Sequence, residues 1–552
     1  MKTQYTHLSK AGSLLMAAAF LSLTSCRTSE TESNNLAAGT TAQIKVNFMG
    51  TAFKDNNSGS GAQASIAGKN LSLGSSKEQS RSVLITPSTA MTVGLSPVSS
   101  NGKVSAQAGL KNTMAVVSGD PLTSGVKFRL IAYKTSDGSY QSYQDYTIGQ
   151  TAPSITLDNG VAYTIVAYSY GTSSLPAITP GETSNISNAQ IAYDNLNRDL
   201  MYQSQSYTPS STNTTLNLTL MHQLSQITTN VTTNIGALNN VINAVLTPNF
   251  SNGTFALNTG VMGGRTTSAP QSIVFNQNDF PAAVNTTVSA PAVLVNSSTT
   301  GNGASFSADV NIDGTTKTIN FTNAFDITPG TQNNLNVRLS KCGAWMDAAH
   351  TQWKEFMCQN LEATPGIDPF SAEAGNHGAK IQWGRDMTGT NGVYFVSQAY
   401  DQNPANTGAI AGWSQTNAAN GAWNSGTEAN PVKTVNDPCP SGYRVPTKTE
   451  WQTVIDNNSV ERTNTALWTS SPTNFGSALY ITNPQGVRTL MLPVAGSRYN
   501  TDGALYDRGN NGRYWSSGEA TSNASYLYFS NSSVFVNNSN RAFGFSVRCI
   551  AE

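Results

Sequence analysis

The sequence predicts a mainly β protein of 552 residues with two differently patterned regions. Between residues 42 and 340, apolar side chains recur at every second position in short runs, as on half-buried strands. Clusters of Gly, Asn, Asp and Ser separate these runs, which is typical of β-sandwiches. From residue 341 the composition changes, because all eight tryptophans and four of the five cysteines follow that point. We therefore expect a β-rich region followed by a different C-terminal domain.

The charge composition excludes a nucleic-acid-binding function. Lys plus Arg and Asp plus Glu number 31 each, and charged residues are only 11% of the chain. A protein that binds DNA or RNA would need a clustered basic face, which this composition does not supply. Apolar residues at 38% without net charge also argue against disorder throughout the chain.

The N-terminus predicts export and lipidation. Lys2 and Lys10 give the chain a basic start. They are followed by an apolar, small-residue run from 11 to 23, which is too short to span a bilayer. The run ends in the letters LTSC, similar to the lipobox of bacterial lipoprotein signal peptides, which would make Cys26 the lipidated residue. The alternative is an ordinary signal peptide with an incidental cysteine.

This N-terminus gives an expected order of segments. A signal peptide covers 1–25, and a polar tether covers 26–42. The mature protein would be anchored through its lipid at the outer membrane and exposed at the cell surface, with no spanning helix.

Strand patterns can be followed along the first region. Ile44 and Val46 alternate with polar residues, as do the leucines within 216–220. The apolar phase then shifts near Ser225, which predicts a bulge or a change of strand. The best stretch for a helix is 236–246, and it is short.

The order of four blocks in this region resembles the fimbrillin family, the pilins of Bacteroidota surface fimbriae. The blocks are VKFRLIAYKTSDGSYQSYQDYTIG (126–149), LDNGVAYTIVAYSYG (157–171), NRDLM (197–201) and LTLMHQLSQITTNV (218–231). The resemblance implies two transthyretin-like β-sandwich domains, over 43–230 and 231–340.

The same resemblance implies assembly by donor-strand exchange. In fimbrillins a cut after Arg or Lys removes an N-terminal strand, and a neighbour's strand then fills the open groove. The matching position here is Arg81, just before the apolar residues 83–85. The alternative is that Arg81 is an unprocessed residue of a charged loop. A further domain after the sandwiches favours an accessory or tip subunit over a repeating shaft subunit.

The C-terminal region, 341–552, resembles the major paralogous domain family (FISUMP) and, more distantly, the C-type-lectin-like fold of formylglycine-generating enzymes. The blocks that carry the resemblance are HGAKIQWG (377–384), DPCPSGYRVPT (437–447), LPVAG (492–496), GRYWSS (512–517) and GFSVRC (544–549). The resemblance implies an α+β, C-type-lectin-like domain.

Two local patterns define elements within this domain. The stretch 447–457 predicts a helix with a capping box between Thr447 and Glu450. Alternation from Phe543 to Cys549 predicts a last strand that places the cysteine on its buried face.

Four cysteines remain after the lipidation site, and their spacing leaves all three disulfide pairings open. They are Cys342, Cys358, Cys439 and Cys549. In the lectin-like fold a disulfide ties the last strand to the helix region, so the resemblance implies Cys439–Cys549, with Cys342–Cys358 as the second pair.

No catalytic motif is present. The sequence lacks a G-x-S-x-G elbow, a P-loop and an H-E-x-x-H pair. It also lacks the calcium-binding strings of sugar-binding C-type lectins. Because catalytic and calcium-binding motifs are both missing, we expect neither enzymatic activity nor a bound metal or cofactor. His377 is expected to be a structural hydrogen-bonding residue.

Aromatic and arginine side chains near the C-terminal loops are the candidate ligand contacts, because Tyr, Trp and Arg dominate binding hot spots. They are Arg498, Tyr499, Tyr506, Arg508, Arg513 and Tyr514. For Tyr514 and Trp515 a core position is the alternative, and it is favoured for Trp515. Recognition would vary in the Asn- and Gly-rich loops 402–426 and 497–512.

The combined prediction is a fimbrial accessory or tip subunit that mediates adhesion. Its partners would be other fimbrial subunits and a glycan or protein of a host or bacterial surface. The first alternative is a monomeric cell-surface lipoprotein that binds such a ligand without joining a pilus. The second alternative, an enzyme of the formylglycine-generating type, is disfavoured because the catalytic segment does not match.

Overall fold

The computed structural model describes residues 40–54, 78–98, 120–194, 199–210 and 214–552, and strands dominate its regular structure. The mainly β prediction is confirmed. Within these ranges, no helix combines the length and apolarity needed to cross a membrane. Cys26, the predicted lipidation site, lies outside the described residues.

The first region consists of short strands. They are β1 (Thr41–Ala52), β2 (Gln79–Thr86), β3 (Thr89–Pro97), β4 (Lys127–Lys134), β5 (Tyr140–Thr147), β6 (Ile155–Asp158), β7 (Tyr163–Ser169), β8 (Gln190–Asp194), β9 (Met201–Tyr207), β10 (Thr215–His222), β11 (Ser225–Thr233), β12 (Leu238–Thr247), β13 (Asn252–Ala256), β14 (Val261–Gly263), β15 (Gln271–Ile273), β16 (Thr287–Ser289), β17 (Val293–Val295), β18 (Ala304–Ile312), β19 (Thr315–Phe325) and β20 (Gln332–Lys341).

The first sheet has the strand order β5-β4-β7-β9-β10-β1-β6. One of its faces encloses a core to which Ile44, Leu130, Ile165 and Leu218 contribute. Its other face is covered by the small sheet β14-β13-β8, against which Ile131 packs. Burial on both faces explains why β4 and β7 carry runs of apolar residues instead of simple alternation.

The second sandwich packs the sheet β16-β11-β20-β3-β2 against the sheet β15-β12-β18-β19. The prediction that 43–230 forms one sandwich is wrong for the hairpin of β2 and β3. Strand β3 pairs with β20, so that Val93 lies opposite Val337, and Met91 and Leu95 fill the second core. The apolar phase shift near Ser225 is a change of strand, because β10 and β11 belong to different sheets.

The stretch 236–246 does not form a helix. Most of it lies in β12, which pairs with β15 on one side and β18 on the other. Val241, Ala244 and Leu246 enter the core of the second sandwich. Tertiary pairing therefore overrides the weak helical pattern.

The C-terminal region contains shorter elements and longer loops. Its strands are β21 (Gly343–Trp345), β22 (Trp353–Glu355), β23 (Lys380–Gln382), β24 (Phe395–Val396), β25 (Tyr443–Arg444), β26 (Ser459–Arg462), β27 (Ala478–Thr482), β28 (Arg488–Pro493), β29 (Ser497–Arg498), β30 (Leu505–Tyr506), β31 (Gly512–Ala520), β32 (Asn523–Phe529), β33 (Val534–Asn540), β34 (Gly544–Phe545) and β35 (Ile550–Ala551). Its α-helices are α1 (Gln398–Asp401) and α2 (Lys448–Asn457), and its 3-10 helices are Ala374–Asn376 and Thr465–Leu467. The first region contains the 3-10 helices Ile186–Asn188 and Gln277–Asp279.

Helix α2 confirms the predicted capping box. The hydroxyl of Thr447 accepts from the backbone N–H of Glu450 (3.1 Å), and the Glu450 carboxylate accepts from the N–H of Thr447 (2.8 Å). Trp451 and Val454 of α2 are buried in the core of this region. The cap thus begins the helix where its apolar face meets the sheets.

The predicted last strand is shorter than its alternation suggests. Only Gly544 and Phe545 form β34, and pairing resumes in β35. The alternation would place Arg548 on the outward face, but the side chain is fully buried. It donates to the Asn360 side chain (3.0 Å) and to the Met491 carbonyl (2.8 Å). Both faces of this segment are buried, so the alternation does not separate an inner face from an outer one.

Candidate functional site

Strand β1 fills a groove between two other strands of the first sandwich. It pairs in parallel with β10 from Lys45 onward and antiparallel with β6 over Thr41 to Ile44. Its buried side chains, including Ile44 and Val46, alternate with exposed ones along the strand. The strand therefore combines main-chain pairing with alternate apolar side chains, which are the features of a strand held in a receptor groove.

Arg81 lies within β2 and not in a charged loop. It sits opposite Val93 of β3, and β2 is the edge strand of its sheet. The following residues Val83, Leu84 and Ile85 are 44%, 39% and 47% exposed. A protease needs an extended, unpaired substrate, so cleavage after Arg81 requires β2 to open locally from the sheet.

The turn between β2 and β3 joins the second sandwich to the C-terminal region. The N–H of Cys342 donates to the Ser88 carbonyl (2.7 Å), and the N–H of Cys358 donates to the Pro87 carbonyl (2.8 Å). The Ser88 hydroxyl donates to Glu355 (2.5 Å). This turn fixes the C-terminal region against the sandwich.

The structure contains two disulfides. Cys439 pairs with Cys549, and Cys342 pairs with Cys358, with sequence separations of 110 and 16. The long-range bridge ties the segment before α2 to the end of the chain. All four cysteines of the described residues are used in this way.

The six predicted ligand residues fall into two groups, and the prediction of ligand contact is wrong for three of them. Arg498, Arg508 and Tyr514 are at most 1% exposed, so they cannot contact an external ligand. The Tyr514 hydroxyl donates to the Pro493 carbonyl (2.9 Å), and burial raises the pKa of Tyr514 to about 12. Trp515, favoured as a core residue, is fully buried.

A buried carboxylate explains why the two arginines point inward. Asp401, at the end of α1, accepts from the Arg498 Nε (2.8 Å), the Arg508 Nη2 (2.7 Å) and the Lys380 Nζ (3.1 Å), and all four side chains are fully buried. Burial alone would raise the pKa of Asp401, but the three cations hold that pKa well below its usual range. We call these four residues the Asp401 cluster.

The cluster connects three segments that are distant in sequence. Arg498 also donates to the Asn406 carbonyl (2.7 Å), and Arg508 donates to the Pro472 carbonyl (2.9 Å). Burial lowers the pKa of Lys380 to about 8, against the opposing attraction of Asp401. Sequence reasoning missed Asp401, although it is the single charged residue between 387 and 427. An isolated charge in so long an uncharged stretch is the available signal.

The other predicted ligand residues lie together, with two exposed tyrosines beside a half-buried arginine. Tyr499 and Tyr506 are 40% and 51% exposed, and their ring centroids are 5.8 Å apart. The Arg513 guanidinium lies 5.8 Å from the Tyr506 ring and pairs with Asp507 (2.8 Å). We call Tyr499, Tyr506 and Arg513 the aromatic–arginine surface.

The same surface extends onto β32 and β33. Arg513 also lies 5.8 Å from the ring of Tyr528, which is 4.9 Å from that of Phe535. Phe535 is 41% exposed. Exposed aromatic rings in one continuous set are typical of contact surfaces.

His377 is fully buried beside the Asp401 cluster, as expected of a structural residue, and its ring centroid lies 5.1 Å from that of Phe475. Burial, reinforced by Lys380 and Arg508, lowers the pKa of His377 from 6.5 to about 3. Below pH 6.5 the unfolded chain therefore takes up a proton that the folded chain does not. The resulting stability is complete above pH 6.5 and is lost as the pH falls towards about 3.

We expect the C-terminal region to lose about 1.4 kcal/mol of stability per pH unit below pH 6.5 through His377. Thermal unfolding at pH 7.5, 5.5 and 4.5, followed by tryptophan fluorescence, measures this loss. His377→Gln should flatten the dependence, whereas His350→Gln, at a half-buried position, should leave it unchanged. An equally steep dependence in His377→Gln would contradict the assignment.

Comparison with protein families matches both regions of the chain. Residues 113–353 match the fimbrillin-like family, and residues 350–551 match the Fibrobacter succinogenes major domain. Both resemblances stated from the sequence are thereby confirmed. No curated protein matches the chain.

Solved structures of bacterial proteins align with part of the chain. A proposed cell adhesion protein from Bacteroides uniformis is 11% identical, with 40% of this chain and 92% of that chain covered and a TM-score of 0.28. A fimbrial assembly protein from Parabacteroides distasonis is 8% identical, with 44% and 90% covered and a TM-score of 0.26. The chain is therefore similar to the fimbrillin-like family over residues 113–353 and to the Fibrobacter succinogenes major domain over residues 350–551.

Proposed function

We propose that the protein is a cell-surface fimbrial subunit that mediates adhesion from an accessory or tip position. The observation that carries this proposal is strand β1, an N-terminal strand seated in a groove of the fimbrillin-like region. The precursor would be anchored at the outer membrane through Cys26.

Loss of β1 would open an apolar groove that a neighbouring subunit's strand can fill. The pairing edges of β10 and β6 would lose their partners, and core residues such as Leu218 and Ile155 would meet water. An unpaired edge beside exposed apolar surface is costly, so strand addition from another subunit restores the lost pairing.

Cleavage after Arg81 is the proposed step that frees β1. Strand β2 pairs only with β3 in its sheet, and on its outer side the N–H of Ser82 donates to the Gly366 carbonyl (3.0 Å). Opening β2 must break this bond as well as the pairing with β3, but it does not break a second strand pairing, as the opening of a central strand would. Strand β3 stays paired with β20, and the turn at Ser88 still holds the C-terminal region. The cut would thus open the assembly groove without releasing the displayed domain.

The aromatic–arginine surface is the proposed adhesion contact. Its rings are exposed, and β30, β31 and the neighbouring β29 hold them on a folded scaffold. Tyrosine and arginine combine apolar contact area with hydrogen bonding, so a glycan or a protein can be engaged there.

One observation favours the alternative, a surface lipoprotein that stays monomeric. β1 is paired on both sides, and Arg81 is itself part of a paired strand. If cleavage does not occur, the groove remains filled by the protein's own strand, and the C-terminal region still contacts its ligand from the lipid anchor.

We expect sheared fimbriae to contain this protein with a new N-terminus at Ser82. Arg81→Ala should retain the N-terminal segment and reduce the amount in the fimbrial fraction by at least about tenfold, because the groove stays closed. Lys317→Ala, at another exposed basic position, is the matched control and should assemble normally. N-terminal sequencing and quantitative immunoblotting of the sheared fraction make the measurement.

Two outcomes would contradict parts of this proposal. Recovery of the wild-type protein only as a monomer that retains residues before Arg81 would support the monomeric alternative. Normal assembly of Arg81→Ala would show that the cut lies elsewhere.

A further inference from the structure

A polar cleft lies on the C-terminal region between the segment after β23 and the loop 417–422. Its volume is about 630 Å³, within the range of small-ligand sites. The side chains that line it and carry polar groups are Arg385, Asp386, Thr388, Tyr394, Asn417, Asn420, Thr434 and Asn436. We call it the amide cleft. It is lined by none of the residues of the aromatic–arginine surface.

The base of the amide cleft is tightly packed. Trp383 and Trp423, the chain neighbours of the lining residues Gly384 and Ala422, are both buried, and their rings lie 5.5 Å apart. The Trp423 indole N–H donates to the Arg385 carbonyl (3.0 Å). At Gly384 an added Cβ would lie 2.5 Å from the Cβ of Ala418, so the loop rests directly on that backbone. The cleft therefore has a rigid base.

A buried arginine fixes the loop that forms one wall. Arg541, 3% exposed, donates to the Ala418 carbonyl (2.8 Å) and to the Oδ1 of Asn420 (2.6 Å). Its guanidinium also lies 4.3 Å from the Trp383 ring. With its Oδ1 held in this way, Asn420 has its Nδ2 available as a donor. The Nδ2 of Asn417 donates to the Ser522 carbonyl (3.4 Å), which leaves its Oδ1 as an acceptor.

The opposite wall supplies a flat aromatic group and balanced charges. The Arg385 guanidinium lies 4.2 Å from the Tyr394 ring, and the Asp386 carboxylate accepts from the hydroxyl of Thr388 (2.8 Å). Arg385 and Asp386 carry opposite charges, so these two residues give the cleft no net charge. An anionic ligand is therefore not favoured over a neutral one.

We propose that the amide cleft binds an uncharged saccharide unit without a metal ion. Each sugar hydroxyl both donates and accepts hydrogen bonds. The lining of the cleft carries amide donors, amide acceptors and hydroxyl groups. A peptide would favour an exposed strand edge or apolar pockets, whereas the lining side chains are largely polar or alanine. In the described part of the chain, no group of three His, Cys, Asp or Glu side chains is placed to hold a metal.

This inference rests on the proposed adhesive function and names the ligand class of a second contact. If the protein adheres only through the aromatic–arginine surface, and only to another protein, the proposed adhesive function stands and the saccharide proposal fails. The two proposals can therefore fail separately.

The test uses the full-length protein purified in detergent and an array of neutral, sialylated and sulfated oligosaccharides together with matrix-protein peptides. We expect binding to neutral oligosaccharides that is unchanged by EDTA. Ala419→Trp, at an exposed position in the cleft wall, should weaken this binding at least about tenfold by filling the site. Asn417→Ala should weaken it about fivefold through loss of one hydrogen bond.

Two control variants keep the test specific. Asn531→Ala removes an exposed asparagine outside the cleft and should bind as the wild type does. Tyr499→Ala combined with Tyr506→Ala controls for the aromatic–arginine surface, because it removes both exposed rings of that surface and leaves the lining of the amide cleft intact. Thermal unfolding of each variant verifies that it is folded.

Three results would overturn the proposal. The first is binding only to charged oligosaccharides or peptides, and the second is loss of binding in EDTA. The third is neutral saccharide binding that survives Ala419→Trp and Asn417→Ala in folded protein. Loss in the tyrosine variant alone would assign the saccharide to the aromatic–arginine surface.

Discussion

Replacing Asp401 with asparagine should destabilise the C-terminal region by about 3–5 kcal/mol. The substitution keeps the shape of the side chain but removes the single anion that faces Lys380, Arg498 and Arg508. All four groups are fully buried, so water cannot compensate the three cations that remain. All eight tryptophans lie in this region, so chemical denaturation followed by tryptophan fluorescence reports its unfolding directly.

Two comparison variants separate this charge effect from general damage. Asp456→Asn changes an exposed carboxylate of the same region and should shift stability by less than about 0.5 kcal/mol. Lys380→Met removes one of three cations and should cost less than Asp401→Asn, because the carboxylate keeps two partners. A loss below about 1 kcal/mol for Asp401→Asn would show that the cations are neutralised by other means.

Removal of the Cys439–Cys549 disulfide should cost more stability than removal of Cys342–Cys358. The bridges close loops with sequence separations of 110 and 16. In the chain-entropy description these separations correspond to about 4.7 and 3 kcal/mol, because the longer loop restricts the unfolded chain more. Replacing both cysteines of each pair with alanine, and measuring unfolding in urea, tests the order.

The reduced wild-type protein, in which both disulfides are broken, is the control for these variants. With both bridges reduced, it should be less stable than either double-alanine variant. An equal loss for both pairs, or a larger loss for Cys342–Cys358, would contradict the loop-length argument and would point to strain or to structure in the unfolded state.

Some parts of the fold could be predicted because their signals are local. The capping box of α2 lies within four residues, and its hydrogen bonds are those expected from Thr447 and Glu450. The strand β1 has the alternation of Ile44 and Val46 that the sequence indicates. Short-range patterns of this kind are read directly, because the interacting groups are neighbours in the chain.

The candidate ligand residues show where local patterns fail. Tyr499 and Tyr506 are exposed, whereas Arg498 and Arg508 in the same predicted recognition segment, 497–512, are buried. The difference comes from Asp401, which lies 97 and 107 residues before these two arginines. No property of the loop itself reveals a partner at that distance.

The hairpin of β2 and β3 is a second example. Its sequence indicates strands, but strand patterns do not identify the sheet that a strand joins. The hairpin lies between β1 and β4, two strands of the first sheet, but its strand β3 pairs with β20 at the end of the second sandwich. This pairing places Arg81 at a sheet edge, and the turn at Ser88 contacts the C-terminal region.

The amino-acid sequence by itself determined the mainly β class, the capped helix and the two family resemblances, because each depends on the order of nearby residues. The tertiary structure decided which strands share a sheet, which arginines are buried and which loops form the amide cleft. Those features depend on pairing and burial between distant segments, whose free energy exists only once the chain has brought them together.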